Sequence, residues 1–392
     1  MTVRIRRQLA AASHLNLFSY AASTVVIPVS LVAITTEFGL SLAQAGALSL
    51  VSSISIFTAL LLSIPIGALL GKIRLLRWSL WLLACGLLLF TRTHSYLSAM
   101  LTMIVIALGQ GVAEALLTPL VEDIHPGDAG SSQLLLQAAW PFGIIFGTII
   151  IGEILSRGLS WRWGFVFIAA VCFIVGVLYP PRRRVSLPVS RADFSHAGEV
   201  FSEPLFWIMG FVLFASGAVE GAFAFWTVSY IQWEFGTLAR SGALGIILFA
   251  AGMVLGRILA SRIMLLFGLR RFLILCMAAI LLSSAGFFFV HSLPVLYVLM
   301  LFIGFVIAPL WPCEQTYTVR RMPGADHTMV MSFLSCFGIL GYSGSSFLMG
   351  VIGDLAGLRM SFIVAPVMTL VLLVLFLLEC LRKTTRFHQE PE

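Results

Sequence analysis

Long apolar runs separated by short polar turns recur twelve times along the chain, at 10–36, 42–70, 76–91, 97–121, 133–155, 163–180, 204–232, 241–267, 272–290, 294–317, 328–352 and 360–381. The hydrocarbon core of a bilayer takes about 20 apolar residues as a helix, and most of these runs reach that length. They are continuous rather than alternating, which predicts helices and not barrel strands. Lipid admits only backbone whose hydrogen bonds close within the segment. The pattern therefore predicts an all-α polytopic membrane protein of twelve transmembrane helices. The first run, from Leu9 to Ile34 behind Arg4, Arg6 and Arg7, is too long for the apolar region of a signal peptide and predicts a first transmembrane helix.

One polar stretch, Pro180-Pro181-Arg182-Arg183-Arg184 through Glu203, divides these runs into two sets of six. This predicts an N-terminal six-helix bundle over 1–180, a linker over 181–203, and a C-terminal six-helix bundle with a short tail over 204–392. Internal repetition agrees. Phe142-Gly143-Ile144 with Gly152-Glu153 and Arg162 is echoed by Phe337-Gly338-Ile339 with Gly353-Asp354 and Arg359, and Gly111 to Pro119 matches Gly304 to Pro312 at equal spacing. Two pseudo-symmetric bundles are expected. The acids Glu153 and Asp354 are expected to form rim ion pairs with Arg162 and Arg359.

Composition sharpens this picture. Charged residues make up 10% of the chain and hydrophobic ones 60%; a soluble domain carries about 25% charged residues, so a water-soluble globule is excluded. The net charge of +7 reads as topology. With the N-terminus inside, Arg92, Arg157, Arg162, Arg240 and Arg359 fall outside and the remaining nineteen of 24 basic residues inside. Basic residues are retained on the cytoplasmic side. Both termini and the linker are thus expected in the cytoplasm, at a plasma (inner) membrane. The bases occur singly or in twos and threes with no aromatic-interleaved patch, so no nucleic-acid partner is expected. Six scattered cysteines show no zinc-site spacing, and neither a metal nor a cofactor is expected.

An ionisable side chain in mid-membrane is costly and faces a cavity or a partner. Glu114 in helix four shares one face with Gln110 and Thr118 at i, i±4, a polar stripe with a candidate proton-coupling acid. Glu220 in helix seven, between Ser216-Gly217-Ala218 and Gly221-Ala222, is the second. Gln137 and Trp140 in helix five set an amide beside an aromatic face, a pairing suited to a sugar-like solute. Trp226, Trp311 and Gln315 are further substrate-contact candidates. His14 and Asn16 near the start of helix one are weaker ones, and Glu122, Asp123 and His125 read as a solvated helix end.

The six-plus-six pattern with a basic central loop resembles the major facilitator superfamily over essentially the whole chain. Its loop signature, G-x-x-x-D-(R/K)-x-G-(R/K)-(R/K), is represented by Gly67-Ala68-Leu69-Leu70-Gly71-Lys72-Ile73-Arg74, with Gly71 in place of the aspartate and Arg74 in place of the second glycine. Gly256-Arg257 stands as its second-half relic. The resemblance implies a gating-loop role for Gly67, Lys72, Gly256 and Arg257. Within the superfamily, Pro65-Ile66-Gly67-Ala68-Leu69 to Lys72, Gly109-Gln110-Gly111 with Glu114 and Pro119, and Gln133 to Gly143 resemble the fucose/proton symporter group. Trp140 stands where that group has a sugar-binding asparagine, and Pro28 near where it has a proton-accepting aspartate. The resemblance implies alternating access with a small-molecule substrate and a proton as partners.

No H-E-x-x-H, G-x-S-x-G or Walker sequence occurs, and Gly350-Val351-Ile352-Gly353-Asp354 is one residue too long for a G-x-G-D protease motif, so no enzyme is expected. Without an ATP site, uphill transport must draw on an ion gradient. The expected function is proton-coupled movement of a small polar, sugar-like solute by a monomer in contact with membrane lipid. The alternative is export of amphiphilic compounds, for which the 31 Phe and 14 Met residues would supply adaptable walls. A receptor that has lost transport is a third class.

Overall fold

The structure, a computed structural model, describes residues 3–125, 129–180, 197–322, 324 and 327–384. The first half comprises α1 (Val3–Thr24), α2 (Val26–Phe38), α3 (Leu42–Leu70), α4 (Lys72–Phe90), α5 (Tyr96–Ile124), α6 (Ala129–Ser156) and α7 (Arg162–Leu178). A short α8 (Ala197–Ser202) precedes the second half: α9 (Pro204–Phe235), α10 (Ala239–Phe267), α11 (Leu269–Gly286), α12 (Leu293–Ile307), α13 (Leu310–Arg321), α14 (His327–Ala356), α15 (Leu358–Ser361) and α16 (Val364–Thr384). No strand occurs among the described residues. Eleven segments are long and apolar enough to cross a membrane, and the shorter Arg162–Leu178 completes two bundles of six. Most of the expected linker lies outside the described residues; its last part is α8, whose Phe201 packs on Phe206 and Phe333.

Two crossings break in the middle. The first is split between Thr24 and Val26, and Pro28 is the cause: it has no N–H for the Thr24 carbonyl and its ring crowds that group. The tenth, expected to be continuous, is split between Ile307 and Leu310, where Pro312 does the same to Ala308.

The repeat is written in the backbone at an offset of 197 residues. Gly39 and Gly236 close α2 and α9 at φ of 63° and 59°, and Gly71 and Gly268 join the next helix pairs at 89° and 74°. Side chains with a Cβ rarely adopt such angles, so Gly71 answers a tight turn where the superfamily signature carries an acid.

The rim ion pairs obey the same offset but are not the expected ones. Arg162 holds Glu37 through two bonds of 2.6 and 2.9 Å, and Arg359 holds Glu234 at 3.2 Å. Glu153 pairs instead with Arg157, one turn along its own helix, at 2.7 Å. Asp354 points across to the start of α3, where it accepts from the Leu42 and Ala43 N–H groups at 2.8 and 2.9 Å. Acids close to an arginine in sequence are thus turned away from it by the helix ends they occupy.

Because the helix count is even, α1 begins and α16 ends on one face, called the terminal face below. The direct contacts between halves gather toward the opposite, far face. Asp354 bridges α14 to α3, the Arg240 N–H donates to Ser156 Oγ at 2.8 Å, and a Cβ added at Gly46 would lie 2.6 Å from the Ser346 carbonyl. Small residues allow such close helix approach in lipid, where no hydrophobic force draws helices together.

Candidate functional site

Near the middles of their helices, side chains from both halves converge on one belt. Tyr20 of α1 stands edge-on to Trp140 of α6 with ring centroids 5.0 Å apart, and its hydroxyl faces the carboxylate of Glu114 on α5. Across the junction, Tyr342 of α14 is within electrostatic reach of Tyr20 on one side and of Glu220 on α9 on the other. Glu220 in turn interacts with Arg257 of α10. The guanidinium crosses back to the first half, donating to the Gln137 carbonyl of α6 at 3.3 Å. Glu114, Glu220 and Arg257 keep partial accessibility despite this depth, as groups lining an internal space do.

Beside the belt, between α3, α8 and α14, is an apolar cavity of about 500 Å³ lined by Phe57, Leu61, Phe201, Phe333, Cys336, Phe337 and Leu340. Cys336 is the link, since its thiol interacts with Glu114. Polar chemistry at the junction thus adjoins a wholly apolar wall.

The remaining sequence candidates fall elsewhere. Gln110 is buried and donates its amide to Ser23 Oγ at 2.9 Å, tying α5 to α1. Trp226 is fully buried, its indole N–H on the Ser346 carbonyl at 3.0 Å, so it locks α9 to α14 rather than lining a site. Gln315 donates to the Met331 carbonyl and to Ser335 Oγ at 3.1 and 2.9 Å, and Trp311 fills the space over Gly338. All four serve packing contacts within one half.

Of the four residues expected in gating loops, none lies in a loop. Gly67 is inside α3 and Lys72 opens α4, where its Nζ meets Asp123 Oδ2 at 2.7 Å; Asp123 is therefore engaged rather than merely solvated. Gly256 and Arg257 are inside α10. A Cβ at Gly256 would collide with the Phe305 carbonyl of α12, which makes it a packing residue, and Arg257 belongs to the central belt. Arg257 was counted above among the cytoplasmic bases, and its depth removes it from that count. Asn16 donates to Tyr179 Oη at 3.0 Å, and His14 Nδ1 lies 2.6 Å from the Ala10 carbonyl.

Tyr20, Tyr342, Cys336 and Glu314 escaped the sequence reading. The signal for the two tyrosines was their position at the centre of an apolar run, where an interfacial tyrosine would stand at its end. Among the described residues no cluster of His, Cys, Asp and Glu suits a metal ion.

A family model described as Major Facilitator Superfamily matches residues 13–264 and 228–391, together nearly the whole chain. The chain belongs to this superfamily. It is a multi-pass membrane transporter, not an enzyme. Among curated proteins, no sequence match is found. Solved structures of the same fold include an inward-facing, unoccupied bacterial homologue of the human lysosomal transporter Spinster, at 16% identity and TM-score 0.76, covering 96% of this chain and 97% of that one. The nucleoside transporter NupG is similar at 13% identity and TM-score 0.77, covering 95% and 98%. A D-xylose-proton symporter is similar at 14% identity and TM-score 0.78, covering 94% and 96%. At these identities the likeness is one of fold.

Proposed function

We propose that this superfamily member is a proton-coupled secondary transporter of a small polar, sugar-like solute, working by alternating access between bundles 1–180 and 204–392. The observation that carries the reading is the belt Glu114, Tyr20, Tyr342, Glu220 and Arg257, which crosses the junction of the halves at mid-depth. A transporter whose site sits between two rocking halves needs its ionisable groups there. Glu114 and Glu220 are the proton-coupling residues of this reading. Trp140 and Gln137 offer an aromatic face and an accessible amide to a hydroxylated solute, in keeping with the helix-five resemblance to the fucose/proton symporter group. Termini in the cytoplasm, a plasma (inner) membrane location and a monomeric state complete the proposal, with Lys72 and Asp123 as an ion pair on the terminal-face gate.

The test uses protein reconstituted in vesicles. Glu114→Gln keeps size and hydrogen bonding but fixes the neutral form. Coupling requires an acid whose proton affinity differs between the two facing states. The variant should therefore still exchange substrate at equal concentrations yet fail to accumulate it when a pH difference is imposed. Proton-driven accumulation at the wild-type level would transfer the role to Glu220 or to another ion.

A second reading is favoured by the apolar cavity beside Cys336: the solute is amphiphilic, with its polar part on the belt and its apolar part against Phe57, Phe333 and Phe337. Thermal-shift screening of the purified protein against sugars and against lipophilic cations separates the two.

A further inference from the structure

Glu314 sits in α13, two residues past Pro312, in a crossing already broken between α12 and α13. Its side chain is fully buried, and neither carboxylate oxygen has a hydrogen-bond partner. No other acid among the described residues is in that position. The groups around it are few. Ser216 of α9 is close enough to interact without hydrogen-bond geometry, Cys276 comes from α11, and Cys313 is its neighbour on α13. No lysine, arginine or histidine interacts with it, and Arg321, two turns along α13, is taken by Glu379 at 2.6 Å. Glu314 also stands apart from the central belt, whose members lie on α1, α5, α9, α10 and α14.

An uncompensated carboxylate in such surroundings is very costly, so the group is held as the neutral acid. A neutral carboxyl that donates to nothing contributes less to packing than a methionine of the same length would. Its use must lie in a state other than this one. The break at Ile307–Leu310 supplies the means, because α13 is a half-helix free of a continuous backbone ladder with α12 and can tilt as a unit.

We infer that Glu314 is a second proton-binding residue of the transport cycle, protonated in the facing state described here and exposed to water when α13 tilts about the break after Ile307. On exposure the carboxyl O–H bond breaks, the proton passes to water, and the hydrated carboxylate remains until α13 returns. The inference rests on the proton-coupled reading above, but its test does not use transport.

The full-length protein in lipid vesicles, spin-labelled at Thr36 and Leu238 on the far face of the two halves, should show an inter-label distance distribution that shifts with pH. Glu314→Gln should abolish most of that shift. It should also remove one carbonyl stretch of an unionised carboxyl from the infrared spectrum, a band that persists in the double variant Glu114→Gln/Glu220→Gln. Glu314→Met loses no hydrogen-bond partner, and should reproduce both effects if Glu314→Gln folds poorly. A wild-type pH response and unchanged carboxyl bands in either variant, or a wild-type distance that ignores pH, would overturn the inference. Failure of proton-driven accumulation in the wild-type protein would instead overturn the transport reading, and is measured separately.

Discussion

Asp354 of one half caps a helix of the other, its Oδ1 accepting the Leu42 N–H at 2.8 Å while Oδ2 accepts that of Ala43. The first N–H groups of a helix have no partner inside it, and the positive end of the helix dipole favours an anion there. Ser41 already caps α3 locally, accepting from Gln44 N–H at 3.2 Å. Asp354 takes two further donors, and does so only while the far face is closed. It thus stabilises one facing state rather than the fold.

Replacing Asp354 by alanine should therefore shift the equilibrium toward far-face opening and leave folding intact. A lost cap costs about 1 kcal/mol, roughly a fivefold change in population. Spin-label distances between the ends of α3 and α14 read the shift directly. An unchanged distribution would mean that the Ser156 to Arg240 contact closes that face alone.

The repeat-related rim pairs should differ in strength. Glu37 receives two bonds from Arg162 and a third from the Trp161 indole at 2.7 Å, whereas Glu234 receives one from Arg359 at 3.2 Å. Exposed pairs contribute roughly 0–1 kcal/mol, with bidentate geometry at the upper end. Glu37→Gln should accordingly lower thermal stability measurably and Glu234→Gln hardly at all. Equal losses would show that the bond number is irrelevant at this rim.

These pairs also mark how far the sequence could be read. The spans, their division into two sets and the repeat follow from apolar run length and from echoes such as Gly111/Pro119 and Gly304/Pro312, since insertion in lipid depends on local composition. Which acid meets which arginine depends on how helices far apart in sequence are turned, and that left Asp354 and Glu153 assigned to the wrong partners. Glu114, Glu220 and Trp140 stood out because polar groups within apolar runs are few. Trp226 and Gln315 stood out for the same reason and turned out to be packing contacts, because residue type does not tell which side of a helix faces the junction. Glu314 was hidden by the polar residues that follow it at the end of α13.

Two glycines that share a place in the loop signature and its relic should respond oppositely to a methyl group. At Gly256 a Cβ would strike the Phe305 backbone carbonyl, which cannot move without parting α10 from α12. At Gly67 it would meet the Leu116 side chain at 3.2 Å, and a leucine end can rotate away. Overpacking against backbone costs about 1–3 kcal/mol, so Gly256→Ala should lower thermal stability or yield while Gly67→Ala leaves both near wild type. The reverse order would restore a gating rather than a packing role to Gly256.

The last prediction concerns Glu220 and Arg257, whose charges interact deep in the second half. A carboxylate that loses its cation can take up a proton and become neutral, whereas a guanidinium cannot shed one. Removing the acid should therefore cost more than removing the base. Glu220→Gln leaves a buried cation whose remaining printed contact is the Gln137 carbonyl at 3.3 Å, and should destabilise by roughly 3 kcal/mol, the low end for breaking a buried pair. Arg257→Gln should cost less, because Glu220 then neutralises itself, and this variant should become more sensitive to alkaline conditions that pull the proton off again. The double variant, with no charge left to compensate, should recover much of the loss. Midpoints of thermal unfolding for the four proteins, taken at neutral and at alkaline pH, test the order. A double variant less stable than Glu220→Gln would show that the two side chains act independently, and the belt would then end at Glu220.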